Sequence, residues 1–144
     1  MRRLLCAFLL AAGAAAAQQP PLPTVTLGAG MHLIHAEVAD RDAARALGLM
    51  QRAALAPNGG MLFVFEERGL HCMWMKNTPL PLSVAFVDER GVIVNIADMQ
   101  PLTEESHCAK RPARFALEMA QGWFAARGIR AGTRLRGLEQ LAPR

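Results

Sequence analysis

The sequence predicts a mainly β protein: a single antiparallel β-sandwich or barrel-like domain with one or two short helices. Apolar and polar residues alternate over short runs, which is the period of a half-buried strand. These runs follow one another as hairpins, without the regular strand–helix–strand order of a parallel sheet. Twelve glycines and nine prolines in 144 residues supply the turns that such a chain needs. The length fits one domain. With 52% apolar and 19% charged residues, the chain is composed to bury a core rather than to stay disordered.

In chain order, Thr24–Leu27 is a first short strand. Met31–Val38 is a second, with Ile34, Ala36 and Val38 on one face and Leu33, His35 and Glu37 on the other. Asp40 is placed as the N-cap of a short helix with Ala43, Ala44 and Leu47 on its apolar face and Gly48 at its end. Ala53–Gly60 reads as loop, with Asn58-Gly59-Gly60 as turn chemistry. Met61–Phe65 and Leu70–Met75 are expected as separate strands, divided by Glu66-Glu67-Arg68-Gly69. Thr78–Pro81 is kept out of any central strand by two prolines, which lack the ladder donor. Ser83–Asp88 and Val92–Ala97 flank Asp88-Glu89-Arg90-Gly91, a hairpin signal. Met99–Ala113 reads as a long polar loop. Arg114–Met119 alternates, with Phe115, Leu117 and Met119 inward and Arg114, Ala116 and Glu118 on the other face. Gly122–Arg127 forms one or two helical turns around Trp123 and Phe124, closed by Gly128, and Thr133–Leu138 is the last strand.

Residues 1–17 have the grammar of a secretory signal peptide. Arg2 and Arg3 form a positive start, Leu4–Ala12 a short apolar centre, and Ala15-Ala16-Ala17 a small-residue cleavage site. The apolar centre is shorter than the roughly 20 residues of a spanning helix. The chain therefore divides into a leader at 1–17, a linker with the first strand at 18–30, and a β-rich domain at 31–144. Loss of the leader, with its two arginines, leaves 127 residues and a net charge of +2. So mild a charge does not point to nucleic acid. A periplasmic or secreted monomer with no membrane span is expected.

Two cysteines remain, Cys72 and Cys108. An even pair in an oxidising compartment points to a disulfide. Closing a loop of about 37 residues stabilises by roughly 4 kcal/mol on the chain-entropy account. Each cysteine follows a histidine, so His71-Cys72 and His107-Cys108 also offer zinc or copper ligands. Neighbouring residues on a strand point to opposite faces, which keeps the four groups from converging without a bend. The bridge is the expected state, with no metal and no cofactor. The methionines sit mostly in apolar runs, where filling core gaps is their ordinary role; a copper site built from them and the histidines is the alternative.

No G-x-S-x-G, H-E-x-x-H, phosphate-cradling loop or G-x-G-x-x-G occurs. The densest unusual segment is His71–Thr78. On an extended strand Cys72, Trp74 and Lys76 share one face, and Met73, Met75 and Asn77 the other. Trp74 offers a flat apolar surface with a donor, Lys76 a charge, and Asn77 a two-way amide. Glu118 lies among apolar residues, where an acid is either paired or functional; pairing with Lys76 or a neighbouring arginine is the simpler expectation.

Several strings now add up. Arg45-Ala46-Leu47-Gly48-Leu49-Met50-Gln51-Arg52, Gly60–Phe65, Trp74-Met75-Lys76-Asn77-Thr78 with Pro81-Leu82, and Ala116-Leu117-Glu118 with Gly122 occur in that order. This chain resembles the DUF192 family over about residues 31–138. The resemblance implies a compact β sandwich or barrel with short helices, and no established reaction. Its motif falls on Arg45, Gly48, Met50, Arg52, Trp74, Met75, Lys76, Asn77, Thr78 and Glu118. The Cys72/Cys108 pair lies outside that motif. The resulting expectation is an exported, non-enzymatic binding or accessory module of the cell envelope. Its ligand is a small anionic or polyhydroxy, saccharide-like molecule, held by Arg45, Arg52, Trp74, Lys76, Asn77, Thr78 and Glu118. Whether a reaction is catalysed stays open. The alternatives are an envelope-polymer hydrolase or transferase using Glu118 with Asp98 or Glu37, and a copper or zinc protein.

Overall fold

The computed structural model describes residues 21–141, so the leader expected at residues 1–17 lies outside it. The strands are β1 (Thr24–Ala29), β2 (His32–Ala39), β3 (Gly59–Gly69), β4 (Cys72–Met73), β5 (Leu82–Val87), β6 (Ile93–Met99), β7 (His107–Cys108), β8 (Ala113–Ala120) and β9 (Leu135–Arg136), with one helix, α1 (Asp42–Leu47). Seven of these strands form one curled half-barrel in the order β6-β5-β8-β3-β2-β1-β9, and β4 and β7 make a separate ribbon. The pairings are antiparallel apart from β2 with β3, which run parallel. That pair is reached by a crossover through α1 and the following loop, as parallel neighbours require. The two edges of the sheet meet at one end. There Val92 bridges to Arg134, and the Leu135 amide donates to the Gly91 carbonyl at 2.8 Å.

Both faces of this sheet are apolar. Inside the curl, Leu27, Ile34, Ala36, Leu62, Ala85, Val87, Phe115, Leu117 and Met119 pack with Trp123, Phe124, Ile129 and Leu138 from the closing turns. Outside it, Met61, Phe63, Leu82, Val84, Phe86 and Ala116 pack under Leu49, Met75 and Ala109. The covering residues come from the loop after α1, the segment after β4 and the end of β7. Strand β5 is consequently buried at all six positions, the continuous pattern of a strand covered on both sides.

Most expected elements fall where the pattern put them. Phe115, Leu117 and Met119 point into the inner core, and Gly128 closes the Ala125–Arg127 turn in the left-handed region. Several details differ. The last strand, expected over Thr133–Leu138, shortens to Leu135–Arg136. The polar stretch Glu66–Gly69 is not a turn: β3 runs through it as an exposed overhang, with a register shift against β8 between Val64 and Gly69. The following strand shrinks to Cys72–Met73. Asp40 does not cap the helix, which starts at Asp42; Asp40 instead accepts a hydrogen bond from Arg45 through its backbone carbonyl. Among the described residues, no helix is long and apolar enough to cross a membrane.

Gly60 lies inside β3, where a Cβ would collide with the Glu118 carbonyl and the Met119 sulfur. Gly60→Ala therefore forces β3 and β8 apart and lowers stability by about 1–3 kcal/mol, read from urea denaturation midpoints.

Candidate functional site

The first string of the motif is an anchor. Gly48 ends α1 at φ 49°, ψ −135°, a conformation restricted in practice to glycine, with the Phe63 ring against it. The Arg45 side chain is only 14% exposed. Its guanidinium donates to the carbonyls of Asp40 (2.9 Å) and Val64 (2.8 Å) and meets the carboxylates of Asp42 (2.5 Å) and Glu66 (3.4 Å). This ties α1 to β3. Arg52 makes a two-pronged pair with Glu37 on β2, at 3.0 and 2.8 Å. Both arginines hold the loop between them onto the sheet, and neither is left with a free fork for a ligand.

The second string meets the first directly. The Gln51 amide donates to the Asn77 carbonyl at 2.7 Å. A third segment joins them: the Met75 amide donates to Thr103 (3.0 Å), and the Leu102 amide to Thr78 (3.1 Å). Gln51, Asn77 and Leu102 all carry positive φ, at 60°, 53° and 61°. Asn tolerates this region; for Gln and Leu it is costly and needs support from the surroundings. Three loops thus converge on one exposed platform.

On that platform Trp74 is 46% exposed and Leu102 65%. The Lys76 ammonium stands 5.2 Å from the Trp74 ring centroid and 3.6 Å from Glu104. Trp74 and Lys76 share a face and Met75 turns inward, as the alternation predicts. Thr78 is buried, and its hydroxyl donates to the Lys76 carbonyl at 3.1 Å, closing the turn. Of the seven expected ligand residues, Trp74, Lys76 and Asn77 are on this surface, Arg52 and Thr78 hold the loops that carry it, and Arg45 is spent on tying α1 to β3. Gln51, Leu102 and Glu104 belong to it and were not singled out from the sequence. A non-glycine residue in the left-handed region leaves no local mark on composition or periodicity.

Glu118 lies beneath. In register, Glu37, Met61, Glu118 and Val84 form one row across the outer face, on β2, β3, β8 and β5. Met61 and Val84 pack with Leu49 and Met75, one from each string. Glu118 is 3% exposed. The expected ion pair is not formed: among the described residues no cation or hydrogen bond meets its carboxyl, and Lys76 turns to Glu104 instead. Burial alone pushes this carboxyl up to about 8, so it is mostly neutral at pH 7. Asp98 is no catalytic partner for it. Asp98 accepts from Ser83 at 2.5 Å, and the Ser83–Asp98 row faces the opposite side of the sheet from Val84.

The same strings and spacing identify the lineage. The sequence matches the DUF192 family, described as "Uncharacterized ACR", over residues 24–137. The chain belongs to this family. No curated protein matches it significantly. Two solved structures resemble this DUF192 protein closely. One, from Sinorhizobium meliloti 1021, is designated a candidate transcription regulator; it is 33% identical, has a TM-score of 0.78, and the match covers 83% of this chain and 98% of that one. The other, a protein of unknown function from Novosphingobium aromaticivorans DSM 12444, is 32% identical with a TM-score of 0.77, over 91% of this chain and 99% of that one.

Two grooves open elsewhere on the surface, of about 1560 and 420 Å³. They lie at the end of the half-barrel marked by Arg68, Glu89 and Arg90, and neither is lined by any of the seven expected residues.

The Glu118 carboxyl keeps its proton in the folded state up to about pH 8 and releases it near 4.5 when unfolded. The folded state binds the extra proton in that window, so stability falls as pH rises through it. Glu118→Gln copies the neutral form. Urea denaturation from pH 5 to 8.5 should show a shallower decline in the variant, which at the upper end is more stable by a few kcal/mol, at about 1.4 kcal/mol per pKa unit. Parallel curves would show that Glu118 ionises freely in the fold.

Proposed function

We propose that this DUF192 protein is an exported, non-enzymatic binding module of the cell envelope. Its ligand, a small anionic or saccharide-like molecule, sits on the platform of Gln51, Trp74, Lys76, Asn77 and Leu102. The observation that carries this reading is the Gln51–Asn77 hydrogen bond. It turns two strings distant in sequence into one surface, with a half-exposed tryptophan and a lysine standing over it. A flat ring suits stacking against a sugar face, and the ammonium beside it suits a carboxylate or sulfate substituent. Export is supported by the leader-like composition of residues 1–17 and by the Cys72–Cys108 bridge, whose cysteines are both exposed. Such bridges persist in oxidising compartments.

The hydrolase alternative has less support. Glu118 is covered by the outer core, Glu37 is held by Arg52, and Met61 stands between them in the row. A nucleic-acid role, which the Sinorhizobium relative's designation raises, would need a basic strip. The arginines at the half-barrel end are interleaved with acids, Glu66, Glu67, Glu89 and Glu139 lining the same groove. Arg68 pairs with Glu89 and Arg90 with Asp88, while Arg134 and Arg136 donate to the carbonyls of Arg90 and Gly30.

The test is a titration of the mature chain with a panel of neutral and anionic oligosaccharides, followed by isothermal calorimetry. Trp74→Ala should weaken binding at least about tenfold, equivalent to about 1.4 kcal/mol. Lys76→Ala should weaken only the anionic members. A panel that fails to bind, or binding indifferent to Trp74→Ala, rules the reading out.

A further inference from the structure

The platform is rooted in the β4–β7 ribbon. That ladder has two residue pairs, Cys72 with Cys108 and Met73 with His107, and the first pair is a disulfide. Beyond the ribbon the two segments run side by side into the platform. Met75 bonds to Thr103, Lys76 stands near Glu104, and Leu102 bonds to Thr78. At the far end Asn77 and Leu102 hold positive φ.

Two pairs of a ladder are a weak hold on loops kept in such conformations. On the inner side of the ribbon Met73 packs against the outer core and the Ala109 amide donates to the His71 carbonyl at 2.9 Å, while Nε2 of His107 is buried without a hydrogen-bond partner among the described residues. The base of β7 has its own fastening. The Asn95 side chain donates to the Cys108 carbonyl (3.2 Å) and accepts from the Lys110 amide (3.0 Å). The covalent link therefore restrains the arm that carries Trp74 and Lys76, not the fold beneath it. Both cysteines are on the exposed face of the ribbon, open to an attacking thiolate.

We propose that the Cys72–Cys108 bridge is a redox switch for the platform: a dithiol reductant of the C-x-x-C class opens it, and the opened form releases the ligand. A thiolate of the reductant attacks one sulfur of the bridge. A mixed disulfide forms, and the other cysteine leaves as a thiolate and takes a proton. The second thiol of the reductant then displaces the remaining cysteine. The reductant ends as its own disulfide, and Cys72 and Cys108 as thiols, with two electrons and two protons transferred. This inference rests on the platform being a binding surface.

Dithiothreitol serves as the probe dithiol on the folded mature chain, with thiol alkylation, amide hydrogen exchange and the oligosaccharide titration as readouts. Both thiols should become alkylable without denaturant. Exchange should accelerate at least tenfold at the Met75 and Leu102 amides and stay unchanged at Leu62, Ala85 and Leu117, and affinity should fall at least tenfold. The Cys72→Ser/Cys108→Ser double variant should behave as the reduced form does. A bridge that yields only after unfolding, or reduction that leaves exchange at Met75 and Leu102 unchanged, overturns the switch. Faster exchange in a chain whose oxidised form binds no oligosaccharide upholds control of the loops and instead removes the binding reading.

Discussion

The central strands β3, β5 and β8 present apolar side chains to both sides of the sheet, and this constraint sets the rest of the molecule. Curling the sheet buries one side. The other, with Met61, Phe63, Val84 and Phe86, is left for pieces of chain that are neither sheet nor long helix. Irregular backbone laid over an apolar surface must still satisfy its amides and carbonyls. Here the loops do so through one another: Gln51 to Asn77, Met75 to Thr103, Leu102 to Thr78. The left-handed residues are where the chain bends far enough for those bonds to form. The platform is thus a consequence of covering a hydrophobic face with short loops, and its outer side is what remains open to solvent.

Among the described residues, the buried acid of that layer is Glu118. A buried carboxyl beside Met61 and Val84, with no partner among the described residues, destabilises the fold when ionised, so it stays protonated near neutrality. A leucine there would pack without that liability. The register neighbours of Glu118 are Met61 and Val84, so an ionised carboxylate there would sit against apolar side chains of β3 and β5. Arg45 and Arg52 work in the opposite sense. Their charges are matched at the rim of the layer, and they fix the first string to β3 and β2.

Much of this was legible from residue order. Period-two alternation located Ile34, Ala36 and Val38 on β2, and Phe115, Leu117 and Met119 on β8, in the inner core. The Asp88–Gly91 turn joins β5 to β6 as expected, with the Asp88 side chain accepting from the Arg90 and Val92 amides. Cys72 and Cys108 are bridged. What was not legible depends on partners distant in the chain. The extension of β3 through Glu66–Gly69 reflects its overhang beside β8, not its own composition. The roles of Arg45 and Arg52 were invisible because a guanidinium reads the same whether it awaits a ligand or grips Val64 and Glu37. Gln51 and Leu102 owe their backbone conformations to the contacts that hold them.

These parts differ in firmness. The inner core is knitted by strands that pair over many residues, whereas the platform is held by a two-pair ribbon, a handful of loop bonds and the buried side chains of Leu49 and Met75. Regions with few buried contacts and few backbone bonds open at lower free energy than the core beneath them. A surface of this kind can reorganise around a ligand or a change in its covalent staple without disturbing the sheet. The residues that seat the first loop, Gly48, Arg45 and Arg52, are held by contacts independent of Cys72 and Cys108. The bridge changes how firmly the platform is held, while the sheet face beneath it decides where the platform lies.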